Sequence, residues 1–166
     1  MNAFYFSCST TQLEGLRAAK TLDAQLELLE TFSDEVERYD LDELFDGLHY
    51  LLTGRTVVEP DESNLLSQAI LGDVELSGED ADTLIAYIDQ GKLSTVIRAL
   101  EDVDLFKKLK KVNFATFAKA EVFPVELWDQ VEEDELAADL GDALEELTEF
   151  YRLSSAGQQH VVVVIG

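Results

Sequence analysis

Apolar and polar positions alternate at the start of the chain, where Phe4, Phe6 and Cys8 fall on one side and Tyr5 and Ser7 on the other. That period of two predicts a strand over residues 3–9. Thr11 and Glu14 have capping-box spacing, and Leu13 and Leu16 continue it as a short helix over residues 11–20. Leu22, Leu26, Leu29 and Phe32 recur every three to four residues and predict a second helix, stopped near Ser33. The best-patterned segment is 40–54. There Asp40 and Glu43 pair as a capping box, Leu41, Leu44, Phe45, Leu48, Leu51 and Leu52 share one helical face, and Gly54 stands at the C-cap position.

Beyond Pro60 the pattern is less decisive. Residues 65–71 are apolar on both sides of Ser67 and Gln68, which fits a helix or a strand, and 72–82 reads as loop with a short extended piece. Leu93, Val96, Ile97 and Leu100 predict a helix, and Leu105, Leu109 and Val112 another, opened by Asp104 as N-cap. Leu136, Leu140, Ala143, Leu144, Leu147 and Tyr151 mark a longer helix ended by Gly157. Val161 to Ile165 is an uninterrupted β-branched run, the mark of a strand covered on both faces and therefore central, with the N-terminal strand as its neighbour. Helices fill the middle and strands the ends. The expectation is an α+β fold, one compact, mostly helical domain over residues 1–166 with a small sheet formed by the N- and C-terminal strands.

Charge adds to this picture. The 166 residues carry 35 acidic and 12 basic side chains, a formal charge of −23, yet 46% are hydrophobic, enough for a real core. Such a charge repels phosphate backbones and anionic lipid, so direct nucleic-acid and membrane binding are not expected, and no stretch approaches eighteen uninterrupted apolar residues. Cys8 is the single cysteine, and the N-terminus lacks the basic and apolar regions of a secretory signal, which points to the cytoplasm.

Motifs with a chemical mechanism are lacking. The two histidines are 111 positions apart, and HExxH, CxxC, EF-hand, GxGxxG, P-loop and GxSxG patterns do not occur. We therefore expect no catalytic residues, metal or cofactor. Two constellations remain. Residues 121–149 hold twelve acidic side chains and no Lys or Arg, and Glu135, Asp139, Asp142, Glu146 and Glu149 are spaced four, three, four and three, one carboxylate stripe on a helix. At roughly 0.2 to 0.5 kcal/mol per like-charged pair, the four pairs oppose the helix by about 1 to 2 kcal/mol. The stripe is either a solvated face or a docking surface for a basic protein. Lys107, Lys108, Lys110 and Lys111, with Lys119 nearby, form the one basic patch, for which pairing with the acidic stripe of the same or another chain is one reading.

The second constellation centres on His49, read at the edge of its helix's apolar face with Asp46 three residues away, where a carboxylate raises an imidazole's pKa. His49, Asp46, Tyr50, Thr53, Arg55 and Trp128 form the candidate pocket. Trp128, the only tryptophan, is otherwise a core plug.

Several segments together resemble the YfbM-like family, small bacterial proteins regarded as of unknown function. They are the continuous run from Tyr39 to Gly54, the Leu66-Ser-Gln-Ala-Ile-Leu-Gly72 segment, Glu121-Val-Phe-Pro124, and His160 to Gly166. The resemblance implies a single α+β domain in the bacterial cytoplasm and carries over no reaction, cofactor or catalytic residue. Where members tend to place a basic residue and a tryptophan before the Leu-His pair, this chain has Glu43 and Phe45. Three functions are consistent with these features. The leading one is a non-enzymatic acidic module that binds a basic protein, as an inhibitor or toxin-neutralising immunity protein does. The others are a small-molecule-binding protein or enzyme with a pocket around His49, and a DNA-mimicking antagonist, which requires carboxylates spaced like phosphates along one face.

Overall fold

The computed structural model describes residues 1–166. Five antiparallel strands form one sheet in the order β2-β1-β5-β4-β3, with β1 at Ala3–Cys8, β2 at Arg38–Asp42, β3 at Val74–Glu75, β4 at Leu84–Ile88 and β5 at His160–Ile165. The β-branched run is the central strand, and β1 is its neighbour, as its composition requires. Alternate residues of the same strands supply two cores. Tyr5, Val161, Val163 and Ile165 join the larger one, while Phe6, Cys8, Val162 and Val164 join the smaller.

Two helices, α1 (Thr10–Ala18) and α2 (Leu22–Phe32), cover the smaller core. The larger core holds α3 (Phe45–Thr53), α4 (Leu65–Leu71), α5 (Gln90–Glu101), α7 (Phe114–Lys119), α8 (Leu127–Gln130) and the 24-residue α9 (Glu133–Ala156). The basic helix α6 (Leu105–Lys111) rests its Leu105 and Leu109 against α9 at Gly141. No helix is long and apolar enough to cross a membrane.

The sheet is larger than the two terminal strands alone. Residues 40–42, read as the first turn of a helix, are instead the end of β2, because β1 has an open edge that they complete through Phe4 with Asp40 and Tyr5 with Tyr39. Asp42 then turns the chain at φ +54°, and α3 begins at Phe45 without a side-chain cap. Its C-terminus matches the expectation, with Gly54 at φ +73° in the left-handed conformation that a residue lacking Cβ adopts freely. The first helix starts one residue earlier than expected. Ser9 is its cap and Gln12 completes the box, displacing Thr11 and Glu14.

Segment 65–71 resolves as a helix, and its C-terminal carbonyls are satisfied from the sheet and from α9. The buried Tyr5 hydroxyl donates to Ile70 O at 2.9 Å and that of Tyr151 to Ala69 O at 2.6 Å. His160 binds β5 to both layers by accepting from Gln90 N at 3.0 Å through Nδ1 and meeting Thr10 Oγ1 at 3.0 Å through Nε2.

Candidate functional site

Helix α3 presents His49 and Asp46 inward, and both are enclosed, at 0% and 2% exposure. His49 Nδ1 lies 2.7 Å from Arg55 O. A carbonyl only accepts, so Nδ1 carries the proton, and Nε2 accepts from the Ser67 hydroxyl at 2.6 Å. Thr53 Oγ1 donates to His49 O at 2.8 Å and accepts from Arg55 N at 3.1 Å. This network folds the chain after Gly54 back onto α3 and fastens α4 to it.

Asp46 closes the other side. Its Oδ1 accepts from Val57 N and its Oδ2 from Phe123 N, each at 2.8 Å. One carboxylate thus joins α3, the loop after it and the Phe123-Pro124 turn, 77 residues downstream of Asp46. Trp128 packs the outer atoms of its six-membered ring against Gly47 and lies parallel to Phe114 at 6.0 Å, and its Nε1 donates to Val122 O at 2.8 Å.

The six candidate pocket residues therefore do not converge on one cavity. Asp46, His49 and Trp128 are interior fastenings. Arg55 is exposed and engages His49 only through its main-chain carbonyl, Thr53 is half-buried beside it, and Tyr50 points elsewhere, into a cavity lined by lysines. Ser67 and Gln68, which sequence reasoning did not single out, line a separate cavity of about 530 Å³ beside β3 and β4. There the Gln68 Nε2 donates to Glu62 O at 2.7 Å, while its buried Oε1 has no partner.

The His49 environment also reverses the expected direction of its titration. Burial holds the imidazole below its ordinary 6.5, outweighing the Arg55 carbonyl and the Asp46 carboxylate, which both act upward. The unfolded chain therefore takes up a proton at a pH where the folded chain does not. Below about pH 6.5, stability falls as pH falls until the folded-state value is passed. Acidification also lowers the net charge of −23 and relieves self-repulsion, so the comparison is with a His49→Gln variant. In urea unfolding between pH 7.5 and 5.5, the wild type should lose stability relative to that variant. Parallel curves would show that His49 does not titrate between folded and unfolded states.

The carboxylate stripe lies entirely outside. Glu135, Asp139, Asp142, Glu146 and Glu149 are all exposed on one face of α9, and they span about 21 Å at the standard helical rise. Only Glu149 has a cation within ion-pairing distance, Arg152 at 3.3 Å. Leu153, 64% exposed, extends the same face toward the C-terminus. At the midpoint, Tyr39 of edge strand β2 donates its hydroxyl to Ala143 O at 3.3 Å. Burial and the nearby Glu146, Asp42 and Asp40 carboxylates push the Tyr39 pKa up. The lysines of α6 do not neutralise this face, because Lys107, Lys108, Lys110 and Lys111 take no part in the ion pairs of the chain.

Comparison with known proteins agrees with this fold. A family described as a domain of unknown function, DUF1877, matches residues 1–164. The chain is similar to Protein YfbM of Escherichia coli strain K12, at 27% identity over 130 residues that cover 78% of this chain and 77% of that protein. It is also similar to the crystal structure of a protein of unknown function, YfbM from Escherichia coli, with a TM-score of 0.80 and 24% identity over the whole of both chains. The YfbM-like resemblance read from the sequence is thereby shown.

Proposed function

The chain belongs to the DUF1877 family, whose description assigns no activity, and we propose that it is a non-catalytic binding module whose α9 face holds a basic protein. In this reading it acts in the bacterial cytoplasm as an inhibitor or a toxin-neutralising immunity protein does. The observation that carries the reading is the exposed stripe of five carboxylates on one 24-residue helix, four of them without a counter-cation. Like charges at these spacings destabilise the free helix by about 1 to 2 kcal/mol in total. A cationic partner removes that repulsion on docking, so the charge that weakens the free protein strengthens the complex.

Rigidity supports the same reading. The buried side of α9 is anchored by Leu136, Leu140, Leu144 and Leu147, so the carboxylates are presented without a loop to order on binding. A basic protein surface needs only a dense acidic face, whereas the duplex-mimic alternative needs carboxylates at phosphate spacing along two strands. The enzyme alternative gains less support, because His49 is enclosed with both ring nitrogens engaged.

Affinity capture from native lysate at low and raised salt tests the proposal, using the wild type and an Asp139→Asn, Asp142→Asn, Glu146→Gln variant. A basic protein recovered by the wild type, and lost both with the variant and in salt, is the expected result. Equal recovery by wild type and variant would overturn it. In the same samples the variant should unfold at higher urea, by about 1 kcal/mol in stability, since it removes repulsion from the free helix.

A further inference from the structure

A second site of opposite charge lies where the end of α3 meets α6 and α7. We propose that the cavity there binds a small aromatic phosphate, a planar ring carrying a phosphoryl group. It is an open groove of about 600 Å³, more exposed than enclosed. Lys107, Lys108 and Lys111 line it together with Tyr50 and Phe117, whose rings meet edge to face with centroids 4.8 Å apart.

Charge selects the anion. A chain of −23 repels anions in general, yet four of its 12 basic residues fall within α6 and three of those line this one cavity. None of the three takes part in an ion pair. The Asp104 carboxylate also lines the cavity, but its Oδ1 accepts from Lys107 N at 3.1 Å as the helix cap, which leaves a local excess of two positive charges. At physiological salt, charges beyond about 8 Å are largely screened, so an anion there responds mainly to the groups that line it.

Shape and polarity select the ring. Phe117 is almost wholly covered, packed against Tyr50, Phe114 and Trp128, and holds the half-buried Tyr50 ring as the aromatic surface left for a flat ligand. Asn113 and Thr116 line the same space, and the Asn113 side-chain amide remains a donor because only its Oδ1 is used, by Ala115 N at 3.1 Å. A phosphate is matched by the ammonium groups and a ring by the aromatic wall. Neither part alone uses the whole cavity. The proposal is independent of the α9 face and stands or falls without it.

Titration of the full chain with adenosine monophosphate, adenosine and inorganic phosphate, followed by NMR, tests it. The expected result is binding of the monophosphate with shifts at Tyr50, Phe117, Asn113 and Lys111, at least about tenfold tighter than adenosine or phosphate alone. A Lys107→Gln, Lys108→Gln, Lys111→Gln variant should weaken the monophosphate at least tenfold and leave the spectrum of α9 unchanged. A Tyr50→Leu variant should remove the advantage of the monophosphate over phosphate. Absence of shifts at millimolar monophosphate, or equal affinity for wild type and the lysine variant, would overturn the proposal.

Discussion

Asp46→Ala should destabilise the protein by about 3 to 5 kcal/mol, since each hydrogen bond to a charged acceptor contributes about 1.5 to 3 kcal/mol and its loss leaves a partly buried donor unpaired. Two donors are at stake, Val57 N and Phe123 N, both 2.8 Å from a carboxylate that is almost wholly buried. Both donors meet this one side chain, so the substitution loosens the loop after α3 and the turn before α8 together. Asp46→Asn should cost less than Ala but still about 2 kcal/mol, because the two N–H groups meet different oxygens and one of these becomes an amide NH2 that opposes its donor. Urea unfolding measures both. A change under about 1 kcal/mol for Ala would mean that water replaces the carboxylate, and the assigned fastening would be wrong.

The second large effect comes from the contact between α3 and Trp128. A Cβ on Gly47 would lie 2.3 Å from Trp128 Cη2 and 2.7 Å from Cζ2, far inside contact distance. The indole cannot retreat freely, since it is fixed by its bond to Val122 O and packed against Phe114 and Phe117. Gly47→Ala gains about 1 kcal/mol in helix propensity, but the overpacking costs more, and a net loss of about 2 kcal/mol is expected. Trp128→Ala should cost about 3 to 5 kcal/mol through the cavity it leaves. The double variant should then be less destabilised than the sum of the two by at least about 1 kcal/mol, since the methyl added at position 47 fills part of the space the indole vacates. Additive losses would show that the two residues do not share this contact.

Local pattern determined what could be read from the chain. Val161 to Ile165 identified the central strand because burial on both faces leaves no polar alternation. The apolar positions of α9 and the carboxylates opposite them were legible together, since a stripe depends only on spacing within one helix. Residues 40–44 misled because Asp40 and Glu43 have capping spacing and Leu41 and Leu44 extend the helical period. Pairing with the open edge of β1, a partner some 35 residues away, decided otherwise. Strand β4 carries no such signature, as Leu84–Ile88 is a short apolar run that either element could use.

The candidate site was legible only in part for the same reason. Asp46 and His49 were noticed, but their partners Phe123 and Ser67 lie 77 and 18 positions away and have no sequence mark that joins them to α3. The lysine run was visible as charge. That it faces Tyr50 and Phe117 across a cavity depends on the path of three helices.

The proposed docking of cations on the α9 face depends on its geometry and not merely on the acidity of the protein. Its most direct measurement is the affinity of a fluorescent oligolysine peptide for three proteins at one salt concentration. These are the wild type, the Asp139→Asn, Asp142→Asn, Glu146→Gln variant, and a control with Asp23→Asn, Glu27→Gln and Glu30→Gln on α2, exposed residues of the same net charge and similar spacing on the other side of the sheet. The predicted result is a loss of at least about tenfold, or 1.4 kcal/mol, for the α9 variant and little change for the control. Equal losses in the two variants would mean that binding follows net charge alone, and would contradict it.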